Sequence, residues 1–245
     1  MRLVMAPGKR EVACPAADAR TAVLVVAGQS NAANHGEPRE PGPHGDRVLN
    51  VFQGRCWVAA SPLLGATGQG GAYWDLLAGR LIDSGRYDRV LIAPFAVDGT
   101  WSGRWGRNGK LQAPFVETLV QLNGQYRITH ILWHQGESDF LAGISPAVYE
   151  ANITSLSQAI RRVGVSAPLY IASATRCRSA PWTPEHPIAQ AQRHLARSLP
   201  GALPGADADQ VWGDAERFDG CHLSRHGQAA MASQWFDVLS ASAGR

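Results

Sequence analysis

Four continuous apolar runs, each closed by a turn and followed by a helix-length stretch, constrain this chain more than any other feature. They cover residues 21–27, 89–97, 128–134 and 168–174. A run without polar alternation suits a strand buried on both faces, which a sheet with one wet face does not offer. A weaker fifth strand is expected around residues 210–212. Between the runs the period changes from two to about 3.6. Tyr149, Ile153, Leu156, Ile160 and Val163 recur at spacings of four, three, four and three. Ser145-Pro146 ahead of them is a fitting start, with serine at the cap and proline in the first turn. Residues 73–84, 113–123, 185–198 and 225–240 also read as helices. Strands alternating with helices predict a parallel sheet covered on both faces.

With 245 residues, one α/β domain is expected over 21–245, after an irregular N-terminal lead-in over 1–20. No repeat or low-complexity linker divides the chain. The charge is +3, from 23 basic and 20 acidic side chains that are dispersed. That is too weak and too scattered to predict nucleic acid as a partner. No run of about 18 apolar residues occurs, so no membrane span is expected. Lys9, Arg10 and Glu11 interrupt the N-terminus before any apolar core of secretory type, so no signal peptide is read there.

The four cysteines, Cys14, Cys56, Cys177 and Cys221, are far apart. They form no CxxC pair, which excludes a zinc knuckle or a thioredoxin motif. Three full pairings are open. Cys177 and Cys221 follow elements that should end on one rim, which puts a bridge between them within reach. Four free thiols are the alternative. Bridged cysteines would go with an extracytoplasmic location.

In an open parallel sheet, ligands bind beyond the carboxyl ends of the strands. The residues found there are polar: Gly28-Gln-Ser-Asn31, Asp98-Gly-Thr-Trp101, Gln135-Gly-Glu-Ser-Asp139 and, before the last helix, Asp219-Gly-Cys-His222. Ser30 is expected where a buried strand turns into a helix, whose free N–H groups suit an anion. A serine needs a base to become a nucleophile, and His222 is the candidate. Asp219, three residues earlier, can reach the other ring nitrogen and fix its tautomer.

The segments VVAGQSNAANHGE, FAVDGTWSGRW, ILWHQGESD and DGCHLSRHGQ together resemble the SGNH hydrolase superfamily. Within it they look like the sialate O-acetylesterase-like and acetylxylan-esterase-like carbohydrate esterases. The resemblance runs from about residue 21 to 240 and implies a flavodoxin-like sheet. It implies a serine esterase acting on O-acetyl or other short acyl groups of a carbohydrate, with no cofactor and no metal. Ser30 would be the nucleophile, His222 the base and Asp219 its partner. The Ser30 and Gly99 N–H groups and the Gln135 side chain would form the oxyanion hole. In some relatives the glutamate of the third block, here Glu137, orients the histidine instead. Where this branch carries two glycines and a threonine after the second strand, this chain has Asp98-Gly99-Thr100, which narrows or charges the pocket.

Other features admit plainer readings. His130 and His134 lie on one strand face without a third ligand at fitting spacing, so they read as core or loop histidines. The stretch GATGQGG at 65–71 lacks a phosphate-loop lysine and reads as a flexible pocket wall. The sequon at Asn152 falls on a predicted helix. Trp57, Trp74, Trp101 and Trp105 flank the rim loops, and Trp101 and Trp105 are candidate substrate contacts. Arg104, Arg107, Arg176 and Arg178 suit either solvent or an acidic sugar. A lipase or thioesterase of the same superfamily and an acyltransferase remain alternatives. A carbohydrate-binding module would lack the serine or the histidine, and both are present.

Overall fold

The computed structural model describes residues 8–39, 42, 44–178 and 181–242. The first seven residues of the lead-in, and residues 243–245 of the expected domain, lie outside them. The strands are β1 (Glu11–Val12), β2 (Thr21–Gly28), β3 (Val48–Phe52), β4 (Arg55–Val58), β5 (Arg89–Ala96), β6 (His130–His134), β7 (Leu169–Ser173) and β8 (Ala202–Asp207). The helices are α1 (Trp74–Asp83), α2 (Gln112–Gln125), α3 (Glu137–Leu141), α4 (Pro146–Arg162), α5 (Pro187–Ser198) and α6 (Arg225–Ser242). One sheet runs in the order β1-β4-β3-β5-β2-β6-β7-β8. The segment β5-β2-β6-β7-β8 is parallel throughout and has the flavodoxin-like order. β3 extends it in parallel beyond β5, and β4 and β1 close that edge antiparallel.

Strand β2 shows why the apolar runs are continuous. Val23, Val25 and Ala27 face a core built with Phe115, Leu119, Ile153 and Leu195. Ala22, Leu24 and Val26 face the opposite core, with Leu77, Leu81, Met231 and Trp235. Helices α2, α4 and α5 therefore cover one face, and α1 and α6 the other. At the start of α4, Ser145 accepts from the Val148 N–H, and Pro146 occupies the first turn.

Three expectations change. The fifth parallel strand is β8, while residues 208–210 form a single 3-10 turn. β8 reads ALPGAD and is only partly buried, so it carries neither an apolar run nor alternation. The β3–β4 hairpin was missed; its two-residue turn, Gln53-Gly54, has φ of 51° and 73°, as a type I′ turn requires. The lead-in is not wholly irregular: β1 pairs with β4, and Cys14 is bridged to Cys56.

Strand β2 ends at Gly28, with φ of +140°. A Cβ placed there would lie 1.9 Å from the His134 carbonyl oxygen, in the neighbouring strand. No side chain fits so close to a backbone. Gly28→Ala is expected to lower stability by roughly 3 kcal/mol or more, through strain and displaced backbone. Thermal melting checks this; a variant melting within a degree or two of the parent would refute it.

Candidate active site

The parallel strands bring the four polar clusters to one rim, at the point where the connection from β2 runs to one side of the sheet and that from β6 to the other. After β2, residues 29–33 make one tight turn, with Ala32 N–H on Gln29 O and Ala33 N–H on Gln29 O and Ser30 O. The expected helix does not follow. Instead Asn34 bonds to Leu63 and Thr67, and Gly36 pairs with Gly71, which draws the chain away across the rim. Ser30 is 6% exposed. Among the described residues, neither its hydroxyl nor its N–H has a hydrogen-bond partner in the chain. The Gly99 N–H is likewise unpaired, at an exposed turn with φ of +63°.

Asp219 and His222 face each other. Asp219 Oδ2 lies 2.7 Å from His222 Nδ1, and Asp219 Oδ1 accepts the N–H groups of Cys221 and His222. Partial burial acts to raise the Asp219 pKa, but these bonds outweigh it and hold the carboxyl below its usual value. With Nδ1 occupied, Nε2 of His222 is left for chemistry. The loop carrying His222 is fixed through Cys221. The Cys221 carbonyl accepts from Arg217 Nη1 at 2.5 Å and from Asn31 Nδ2 at 3.3 Å, and its sulfur is bonded to Cys177. Asn31 directly follows Ser30, so one side chain connects the serine turn to the histidine loop. Among the described residues there is no free cysteine; both bridges form and the free-thiol alternative does not.

Glu137 is buried and takes other partners. Its Oε1 accepts from Asn31 Nδ2 at 2.8 Å and lies 3.4 Å from His134 Nε2. Burial pushes its pKa up, yet His134 and Asn31 pull it down further, for a net lowering. It also offsets the charge of Arg217, a buried guanidinium whose other bonds go to the carbonyls of Ala208 and Val211. Arg217 was not singled out in the sequence. An arginine five residues before the histidine carries no signal until the fold buries it.

Gln135 is fully buried, and its amide is engaged. Nε2 donates to Asp139 Oδ2 at 2.5 Å and to the Thr100 carbonyl at 3.1 Å. Gln135 thus braces the loop after β5 and offers no free donor to the rim. Asp139 also accepts from the N–H and hydroxyl of Ser102, at 2.8 and 2.6 Å. Burial outweighs these bonds and raises the Asp139 pKa. This second serine–carboxylate pair is fully buried, which shuts it off from any substrate.

The aromatic readings divide, while both histidines are core residues as expected. Trp105 is completely buried, edge-on to Phe95, Phe115 and Trp133, and is a core residue, not a substrate contact. Trp57 and Trp74 are also buried. Trp101 stays on the rim, 38% exposed, over Gly103. His130 stacks on Tyr170, and burial lowers its pKa to about 4. His134 Nδ1 pairs with the Tyr73 hydroxyl. The two histidines share no partner. The 65–71 stretch is a tied wall, not a loose one: Thr67, Gly70 and Gly71 donate to Ala96, Asn34 and Gly36. Arg176 lies between the rings of Trp182 and Trp212. No helix among the described residues is long and apolar enough to cross a membrane.

A flavodoxin-like sheet with a serine after its first central strand and an aspartate–histidine pair before its last helix defines a serine hydrolase of the SGNH superfamily, acting on esters. Residues 20–238 match the family model described as carbohydrate esterase, sialic acid-specific acetylesterase, and the chain belongs to that family. No curated protein sequence matches it. Among solved structures, a protein from Arabidopsis thaliana superposes with a TM-score of 0.72 at 20% identity, over 91% of this chain and 99% of that one. NanS superposes at 0.63 with 18% identity, over 93% and 99%. The psychrotrophic esterase EstA from Pseudoalteromonas sp. gives 0.56 and 15%, over 92% and 100%. At these identities the likeness is one of fold.

The lowered pKa of Glu137 carries a sign. Its ionised form stabilises the fold above about pH 4.5, its ordinary value, and that contribution is lost as pH falls through the lower folded value. The gap in melting temperature between the parent and Glu137→Gln should be widest near neutral pH and shrink below about 4.5. A gap that stays constant down to roughly pH 3 would refute the assignment.

Proposed function

We propose that this chain is a serine esterase that removes acetyl, or another short acyl group, from a hydroxyl of a carbohydrate. The observation that carries the chemistry is the Asp219–His222 pair at 2.7 Å, held by Asn31 against the turn that bears Ser30. The family model supports the carbohydrate part.

In this reading His222 Nε2 takes the proton of Ser30 as its hydroxyl oxygen attacks the ester carbonyl. Asp219 holds the tautomer and stabilises the imidazolium. The tetrahedral oxyanion is met by the Ser30 and Gly99 N–H groups, which have no other acceptor to give up. Gln135 would join them only by giving up one of its present acceptors, Asp139, the Thr100 carbonyl or Gln29 Oε1; otherwise it acts by holding the loop that carries Gly99. Collapse breaks the bond to the sugar oxygen, which leaves with the proton from His222. Water, deprotonated by His222, then hydrolyses the acyl-serine and frees the carboxylic acid. Trp101, exposed on the rim, would touch substrate in this reading.

Ser30→Ala should lower kcat on an acetyl ester by roughly 10³ or more with melting unchanged. A phosphonate should add its mass at Ser30. Labelling elsewhere, with the alanine variant still active, would overturn the assignment.

Asp219→Asn should reduce kcat more than Glu137→Gln does, since a wrong tautomer disables the base. The reverse order would move the orienting acid to Glu137.

A further inference from the structure

Phe218 stands out on the histidine loop. Its ring is 46% exposed, although the backbone around it is firmly held. The Phe218 N–H donates to the His222 carbonyl, and Arg217 beside it is buried with three hydrogen bonds. The loop therefore holds the ring partly out in solvent, where a phenylalanine forgoes part of the stabilisation that burial would give. The ring centroid lies 6.2 Å from that of His222, with the planes 31° apart.

Phe218 forms one wall of a cleft of about 460 Å³, whose other sides include Asn34, His35, Glu37, Arg39 and Gln69. The His35 ring stacks on His222 with centroids 5.4 Å apart, so the cleft opens beside the candidate base. The buried Nε2 of His35 has no hydrogen-bond partner, and the Asp98 carboxylate is 3.9 Å away, beyond hydrogen-bond distance. An aromatic face beside the exposed polar side chains of Glu37, Arg39 and Gln69 suits a pyranose, which has apolar C–H faces and hydroxyls at its edge. Glu37 and Arg39 bring one charge of each sign, and Arg39 Nε already donates to the Gln69 carbonyl. Burial, aided by the nearby His222, lowers the His35 pKa against the pull of Asp98 and Asp219, which favours its neutral form. Among the described residues lining it, the cleft offers no surplus positive charge to a sugar carboxylate.

We propose that this cleft seats the sugar ring of the leaving alcohol, with Phe218 as its stacking platform, and that the sugar preferred is an uncharged pyranose. The inference rests on the carbohydrate-esterase reading and adds a specificity-determining residue to it.

The test compares kcat/KM for an O-acetylated methyl hexopyranoside with that for ethyl acetate, whose leaving group is too small to cover the ring. Phe218→Ala should lower the sugar-to-ethyl ratio about tenfold, mainly through KM, and Phe218→Trp should restore it; tenfold corresponds to about 1.4 kcal/mol. The parent should also prefer the neutral hexoside to O-acetylated N-acetylneuraminic acid. A ratio unchanged in Phe218→Ala, in an enzyme that does cleave the hexoside, overturns the platform alone. A parent that cleaves ethyl acetate but neither sugar ester overturns the carbohydrate reading and this inference together. A strong preference for the sugar acid overturns the claim of an uncharged substrate.

Discussion

The placement of the base depends on one peptide unit, that of Cys221. Its carbonyl takes hydrogen bonds from a buried guanidinium and from the residue after the candidate nucleophile, and its side chain is tied to Cys177, beyond β7. Three separate parts of the chain thus hold the residue next to His222. The arrangement matters because the candidate nucleophile and the candidate base come from opposite ends of the sequence, and an error of about 1 Å in the relative position of such groups can reduce a rate by about 10². Burying the Arg217 charge would be unfavourable by itself. It is tolerated because three carbonyls accept its N–H groups and two buried carboxylates, Glu137 and Asp209, lie in its field.

The site is organised in two depths. Asp219 and His222 are partly open to solvent, as a base that must receive substrate requires. Beneath them lies a dry layer in which Gln135, Asp139 and Ser102 bond to one another and to the loop carrying Gly99. The two acids proposed to orient the histidine belong to different layers. Both have lowered pKa values, Asp219 through the N–H groups and ring of the histidine loop, Glu137 through His134 and Asn31 against a larger burial penalty. The first geometry suits an acid that orients a solvent-facing histidine, and the second ties buried side chains together.

The fold was legible wherever burial wrote itself as a continuous run or a helical stripe, as in β2, β5, β6, β7 and α4. It was not legible in β8, an edge strand that reads ALPGAD, or in the β3–β4 hairpin, whose strands are five and four residues long. The candidate site residues could be named from sequence because each follows a strand or precedes a helix at short range: Ser30 after β2, Asp219 three residues from His222. Trp105 was misread for the opposite reason. A tryptophan in a Gly-rich loop looks the same in sequence whether it faces solvent or fills the core against Phe95, Phe115 and Trp133.

By itself, then, the sequence determined the alternation of strands and helices, the rim on which the polar clusters converge, and the local Asp219–His222 turn, since these depend on period, on strand direction and on contacts three residues apart. Only the tertiary structure decided which cysteines pair, that Gln135 braces a loop, that Glu137 faces Arg217 and His134, and that Phe218 stands exposed beside His35. Those outcomes depend on contacts between residues up to about two hundred positions apart, such as Asn31 and Cys221. Such contacts are fixed by how helices and loops pack on the sheet, which no local pattern of residues encodes.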